Sequence, residues 1–354
     1  MPKFEHIVII SDGIRGHYHQ SLGIAQWLER MGGGTIDATL TVPKLSGLEK
    51  MLKLKVFVHG LAVHDSTYAN GWLRSAGMPA YEYNPNTLFI SAGSSAAPFC
   101  LALAKSTGNK SAVVMTPSVL GTRPFDFAII PEHDRHDPKA RNILATLGAP
   151  NHIYQPELEL VGSNFFAGRD FGGKKIVAVL VGGSDSNYKP NPAWAEEALG
   201  PLRYMDGIKI LLTTSRRSGQ ALDEAIEKIF GNTPSLGYML ILSKKPRVNA
   251  LTAMMGKATH VLATEDSVSM VSEAITAGFK VGLLRVPRST DPLKSAFGGG
   301  PKKFDVLFDK MRRKKLLVDL GSAPDYTEFL SLPEQKHNQD FNEAKRAAEW
   351  ILQF

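Results

Sequence analysis

Several short stretches concentrate side chains able to bind anions or move protons. The first, SDGIRGHYHQSLGIA over 11–25, follows the apolar run FEHIVII and opens a helical pattern. Gly13 and Gly16 let backbone approach a ligand closely, and free N–H groups at a helix start attract negative charge. His17 then stands near the helix end, where a neutral imidazole can take a proton from a hydroxyl, the work of a general base. Asp12, at the strand end, is the rival base, with bracing of the loop as its alternative. For His17 and His19 the alternatives are helix capping or a place on the surface.

The stretch VGGSDSNY, 181–188, also follows an apolar run. Gly182, Gly183, Ser184 and Ser186 there offer donors to a diphosphate or a sugar, as an ordinary strand-to-helix turn would also have them. Asp185 would repel phosphate if it pointed inward. In ATEDSVSMVSEAITAG, 263–278, Asp266 or Ser267 can cap a helix. The first turn of that helix would present Ser267, Ser269 and the backbone at Met270 to a phosphate. Glu273, two turns on, is placed to accept hydrogen bonds from both ribose hydroxyls, the alternative being a solvated carboxylate. TTSRRSG, 213–219, adds Ser215, Arg216 and Arg217; Arg216 is the guanidinium expected to neutralise a diphosphate. On the other side, Ser94 and Ser95 of ISAGSSAAPF either cap the next helix or bind acceptor. Glu132, His133 and Asp134 of PEHD either assist catalysis or brace their loop. These groups lack metal-ligand spacing, so no metal site is expected.

The elements that must carry these loops alternate. FEHIVII (4–10), TIDATLTV (35–42), TLFISAG (87–93), SAVVMT (111–116) and FDFAIIP (125–131) read as buried parallel strands. SLGIAQWLERM (21–31) and APFCLALAKS (97–106) read as helices between them, and 44–80 is less regular. A second series comes after: strands at 175–183, 208–215, 238–242, 260–264 and 280–286, with helices at 221–230, 247–256 and 268–278. The pattern predicts an α/β protein of two Rossmann-like doubly wound domains facing each other across a cleft. The domains are expected at 1–165 and 166–335, divided in the glycine-rich run 161–175. The amphipathic helix within 336–354 is expected to pack back on the first domain.

Bulk properties narrow the partners. Hydrophobic residues make up 43% and charged residues 21% of 354, as in a folded globular chain. The single cysteine, Cys100, excludes an internal disulfide. The start lacks a signal-peptide pattern and no run is long and apolar enough to cross a bilayer, so a cytoplasmic place is expected. The net charge of +7 favours anionic partners. No recognition motif accompanies it, so nucleic acid is not expected among them. KLSGLEKMLKLKVFVHGLAV, 44–63, mixes lysines with apolar residues. It reads either as a core helix with a lysine-rich outer face or as a segment docking on an anionic membrane surface.

Two family resemblances rest on these motifs. IRGHYHQSLGIAQWL, GGSDS and HVLATEDSVSMVSEAITAGFKVGLL resemble the peptidoglycan N-acetylglucosaminyltransferase family, although Ile14-Arg15 before the Gly-His departs from its loop. SDGIRGHYHQSLGIA, ISAGSSAAPFCLALA, PEHD, VGGSDSNY, TTSRR and TEDSVSMVSEA together resemble the bacterial glycosyltransferase-like proteins grouped with the plant elongated-mitochondria fission protein. The resemblance implies a GT-B fold with Glu273 as ribose-binding glutamate and no cofactor beyond a nucleotide-sugar donor. It implies transfer to a cell-envelope glycan or lipid-linked acceptor, at the inner face of the membrane. It equally implies the alternative of the fission branch, a non-catalytic membrane-associated adaptor that retains the fold. A nucleotide-sugar epimerase is the third class.

Overall fold

A computed structural model describes residues 3–61, 66–78, 83–134, 137–245, 248, 250–289, 302–334 and 340–354. The chain divides into two units, 1–152 with 342–354, and 153–341. Each is built on a six-stranded, wholly parallel sheet.

In the first unit the strands are β1 (His6–Ser11), β2 (Thr35–Thr41), β3 (Thr87–Ala92), β4 (Lys110–Val114), β5 (Phe127–Pro131) and β6 (Ile143–Thr146), in the order β2-β1-β3-β4-β5-β6. Helices α1 (Arg15–Arg30), α2 (Gly47–Leu61), α3 (Ser66–Ser75) and α4 (Ala97–Thr107) connect them. Residues 62–65, which include the end of the lysine-rich stretch, lie outside the described residues. One face of the sheet packs Val8, Ile10 and Phe89 on Trp72, Phe99 and Leu103. The other packs Ile7, Ile9 and Ile90 on Ile24 and Leu28 of α1 and on Ala344, Ala347 and Ile351. Burial on both faces is what the near-continuous apolar runs of β1, β3 and β4 encode. β2 differs from the buried strand expected: it alternates between exposed and half-buried residues because it forms an edge. β6, another edge strand, is too short to leave a periodic signature.

The second unit orders β7 (Lys175–Leu180), β8 (Ile208–Thr213), β9 (Leu236–Leu240), β10 (His260–Thr264), β11 (Val281–Leu284) and β12 (Leu317–Asp319) as β12-β11-β10-β7-β8-β9. Counted within the unit, that is the 3-2-1-4-5-6 order of dinucleotide-binding folds. Its helices are α5 (Gln155–Phe165), α6 (Pro192–Trp194), α7 (Gln220–Phe230), α8 (Leu251–Lys257), α9 (Val268–Thr276), α10 (Lys302–Arg313) and α11 (Tyr326–Ser331); α12 (Glu343–Gln353) returns to the first unit. The start of the helix expected at 247–256 falls partly outside the described residues.

The boundary expected at 165/166 lies earlier, at 152/153. Gly162, within the glycine-rich run expected to divide the domains, sits in α5 where that helix presses on α8. A methyl group at Gly162 would come within 2.8 Å of the Gly256 backbone, and one at Gly256 would overlap the Leu158 carbonyl. Two glycines facing each other let the helix axes approach closely, so α5 belongs to the second unit with α8. The expected 166–335 domain therefore begins 13 residues sooner, at Ile153.

Candidate functional site

In an open parallel sheet the ligand crevice forms where the strand order reverses, outside the carboxyl ends. The first sheet reverses between β1 and β3, the second between β7 and β10. The loops singled out from sequence leave these four strands and their neighbours.

After β1 the chain turns through Asp12 and Gly13, whose φ of +80° is left-handed and suits glycine. Asp12 Oδ1 accepts the Ile14 N–H at 3.0 Å, and Asp12 Oδ2 lies 2.8 Å from His17 Nδ1. The Asp12 side chain is 5% exposed and that of His17 is 23% exposed. A carboxylate only accepts, so the Nδ1 proton is held on this bond and the Nε2 lone pair is left to act as base. The two candidate bases are thus bonded to one another. Gly93, at the end of β3, also has φ +80°, and a methyl there would come within 2.6 Å of the His17 ring. Gly16 has open space around it, so packing does not require a glycine there. The His19 and His152 rings meet tilted at 50°, centroids 4.1 Å apart.

The serines after β3 do not cap α4, whose N-cap is Ala96 without a side-chain bond. Ser94 Oγ is 2.8 Å from Ser118 Oγ, and Ser95 Oγ accepts from Lys50 Nζ at 2.8 Å. Asp134 accepts from Thr116 Oγ1 at 2.8 Å, tying together the loops after β4 and β5, while His133 Nε2 lies 3.9 Å from Asp134 Oδ1. Glu132 donates its N–H to the Thr146 carbonyl.

In the second unit the structure changes the role of the paired glycines. Expected as donors to a ligand, their N–H groups are already engaged: Gly182 with Thr264 Oγ1 (2.8 Å), Gly183 with Asp266 Oδ2 (2.6 Å). The Ser184 N–H donates to the Arg217 carbonyl (2.9 Å). A methyl at Gly182 would overlap the Asp266 carboxylate, and one at Gly183 the Arg217 backbone. These glycines seat the loops after β7, β8 and β10 against one another.

Asp266 is the tie. Its side chain is buried, Oδ2 faces Arg217 at 3.4 Å, and Oδ1 has no hydrogen-bond partner among the described residues. Burial raises its pKa, with hydrogen bonds and the Arg217 charge opposing. The cap of α9 is Ser267, whose side chain accepts the Met270 N–H at 3.4 Å. Val268, Ser269 and Met270, the first turn of α9, are half-buried. Their end of the helix carries positive dipole density suited to an anion. Glu273 lies in the second turn and is 8% exposed.

Of the twin arginines the sequence put Arg216 forward, but the ion pairs to Asp185 and Asp266 are made by its neighbour. Arg217 reaches Asp185 Oδ2 (3.5 Å) and Asp266, while Arg216 is exposed on the same turn. Asp185 is also taken by its own loop, accepting from the N–H groups of Asn187 and Tyr188. Ser215 Oγ accepts the Arg217 N–H at 3.1 Å and so shapes that turn. Glu265 carries no distinguishing mark in the sequence. It is 1% exposed, accepts from Val286 N–H (3.0 Å) and Arg285 (2.7 Å), and ties β10 to β11 as Asp266 ties it to β7.

Known proteins show what the chain is similar to. The sequence model of a family described as mitochondrial fission ELM1 matches residues 15–354. The uncharacterized protein RP120 of Rickettsia prowazekii (strain Madrid E) is 26% identical over 182 residues, 50% of this chain and 46% of that protein. The match thus spans about half the length of that relative. Among solved structures, the S. aureus MnaA–UDP co-structure is 12% identical with a TM-score of 0.50, covering 98% of this chain and 95% of that one. Arabidopsis thaliana UGT89C1 complexed with UDP is 12% identical with a TM-score of 0.49, covering 99% and 98%. The fold, two Rossmann-like domains in one chain, is of the GT-B class.

Proposed function

The chain belongs to the mitochondrial fission ELM1 family, and from that premise we propose that it is a metal-independent glycosyltransferase using a nucleotide-sugar donor. The second unit holds the donor, its diphosphate at the first turn of α9 beside Arg216 and Arg217, its ribose on Glu273. The first unit holds a cell-envelope glycan or lipid-linked acceptor near His17, with Ser94, Ser95, Glu132, His133 and Asp134 as candidate acceptor-side groups. His17 Nε2 takes the acceptor hydroxyl proton and the oxygen bonds the anomeric carbon. The bond from that carbon to the diphosphate breaks, and its electron pair leaves with the diphosphate. Helix N–H groups and guanidinium groups fixed before the reaction stabilise this departing charge without reorganising. Asp12 holds the imidazole in the tautomer that can accept.

The observation that carries this reading is the 2.8 Å bond between His17 and a nearly buried Asp12, which fixes a base at a sheet's reversal point. The His17 side chain remains 23% exposed, as a group that must meet a substrate has to be. Thermal-shift screening of UDP-, GDP-, CMP- and ADP-sugars identifies the donor, because a ligand of the native state raises its melting point. UDP, bound in the MnaA structure, makes UDP-sugars the first to try. His17→Ala should then slow sugar-dependent nucleotide release by about 10²–10⁴ while the thermal response to nucleotide stays. A chain indifferent to every nucleotide sugar is not a transferase.

A second reading has its own observation. Leu48, Met51, Leu52 and Val58 are exposed on α2 beside Lys44 and Lys55. Such a face suits an anionic membrane surface at the cytoplasmic side, for an enzyme or for a non-catalytic adaptor. Among the described residues no helix is long and apolar enough to cross a membrane. An adaptor would keep its function in His17→Ala and lose it in Leu48→Glu/Leu52→Glu.

A further inference from the structure

Beyond the carboxyl ends of β1, β2 and β3 the first unit encloses a pocket of about 250 Å³. Val42, Leu45, Leu54, Trp72 and Phe99 supply its apolar walls. Lys44, Lys50, Asp12, Ser94 and Ser95 also line it. Lys50 is fixed against the wall by its bond to Ser95, and Asp12 is committed to Ile14 and His17. α2 therefore has two apolar faces. One carries the exposed residues named above; the other turns Leu54 and Lys50 into this cavity and Phe57 into the core.

The chemistry of the lining discriminates among acceptors. The lining's polar groups are largely bonded already, Lys50 to Ser95, Ser94 to Ser118 and Asp12 to His17. A polyol seated here would therefore lose water from its hydroxyls against mainly apolar walls. A neutral hydrocarbon would make no use of the two ammonium groups of the lining. An apolar chain ending in an anion satisfies both halves of the cavity.

We infer that this pocket binds the alkyl or isoprenyl chain of a single-chain lipid phosphate, with the phosphate at Lys44 and Lys50 and the chain among Val42, Leu45, Leu54, Trp72 and Phe99. That this amphiphile is the acceptor rests on the transferase reading above; that it binds does not.

Isothermal titration of the full chain with n-alkyl phosphates, kept below their micelle concentrations, tests the inference. Affinity should rise about fourfold per added methylene, the factor expected for moving one from water to an apolar site. At ~30 Å³ each, about the share of a water molecule, methylenes fill 250 Å³ at on the order of eight carbons. Beyond that length the affinity should level off. Octanol, which lacks the anion, and inorganic phosphate, which lacks the chain, should each bind at least tenfold more weakly than octyl phosphate. Leu54→Trp should weaken octyl phosphate tenfold or more by filling the cavity, and Leu45→Trp reads the same effect from another wall should the first variant misfold. Affinity independent of chain length, octanol equal to octyl phosphate, or binding untouched in both tryptophan variants overturns the inference. A nucleotide-sugar thermal shift on the same samples keeps the two readings apart. Chain binding without a nucleotide response sinks the transferase and leaves the pocket standing, and the converse sinks the pocket alone.

Discussion

Beyond β1 and β3 the side chains that meet are a nearly buried Asp12 and a partly open His17, joined by one bond. Beyond β7 and β10 they are Asp266 and the backbone of Gly182 and Gly183, buried and interlocked. Both places are reversals of strand order in parallel sheets. In the first, the carboxylate aims an imidazole and leaves its far nitrogen available. In the second, the carboxylate ties loops together, and what stays open is the first turn of α9. One topology can therefore present either a half-open side chain or a rigid backbone edge.

If the division is right, changes at the first reversal should cost activity and changes at the second should cost stability. Asp12→Asn gives the largest activity effect expected beside that of His17→Ala. It loosens the imidazole and should lower nucleotide release about 10²-fold or more, with a melting temperature near that of the parent protein. A variant that instead unfolds would make Asp12 a brace. Gly183→Ala should do the opposite, destabilising by about 1–3 kcal/mol or more through overlap with the Arg217 backbone, as chemical denaturation would read. Gly16→Ala sharpens the contrast. Nothing surrounds it, so the helix should gain about 0.5–1 kcal/mol, yet turnover should fall if substrate approaches this backbone; unchanged turnover removes Gly16 from the site.

The smallest effects are pH-linked. Asp266 has a raised folded pKa. Its stabilising contribution is complete below the ordinary carboxylate value near 3.9 and is lost as pH rises through the folded one. Asp266→Asn should flatten that fall in unfolding free energy; an unaltered pH profile means the carboxyl is not buried in solution. His260 has the opposite sign. Burial lowers its pKa, and its ring bonds Thr259 and the Leu332 carbonyl. Stability linked to it is present above about 6.5 and lost as pH falls through the folded value, a loss that His260→Gln should remove.

Much of this was legible in the chain. Apolar runs located β1, β3, β7 and β10 because central parallel strands are buried on both faces, and the loops leaving them carried the polar residues. The edges were legible only in part: β2 and β9 were read as strands, though β2 is half wet rather than buried, while β6 and β12 are too short for any period. Within the sites, residue types were readable but pairings were not. Asp12 and His17 are five apart, a separation meaningless until a strand end and a helix start bring them together. The glycines after β7 look the same whether they embrace a phosphate or a neighbouring carboxylate. Gly93, Arg217 and Glu265 act through contacts between distant strands, which spacing alone does not encode.

The return of α12 to the first unit has a consequence for biosynthesis. Ala344, Ala347, Ala348 and Ile351 complete an apolar layer whose other members come from the opening residues. During translation that layer stays uncovered until the whole intervening unit has emerged, a delay of roughly ten to forty seconds at typical elongation rates. The continuous second unit can mature first, while the nascent opening segment offers an uncapped oily flank to any chaperone stationed near the ribosome.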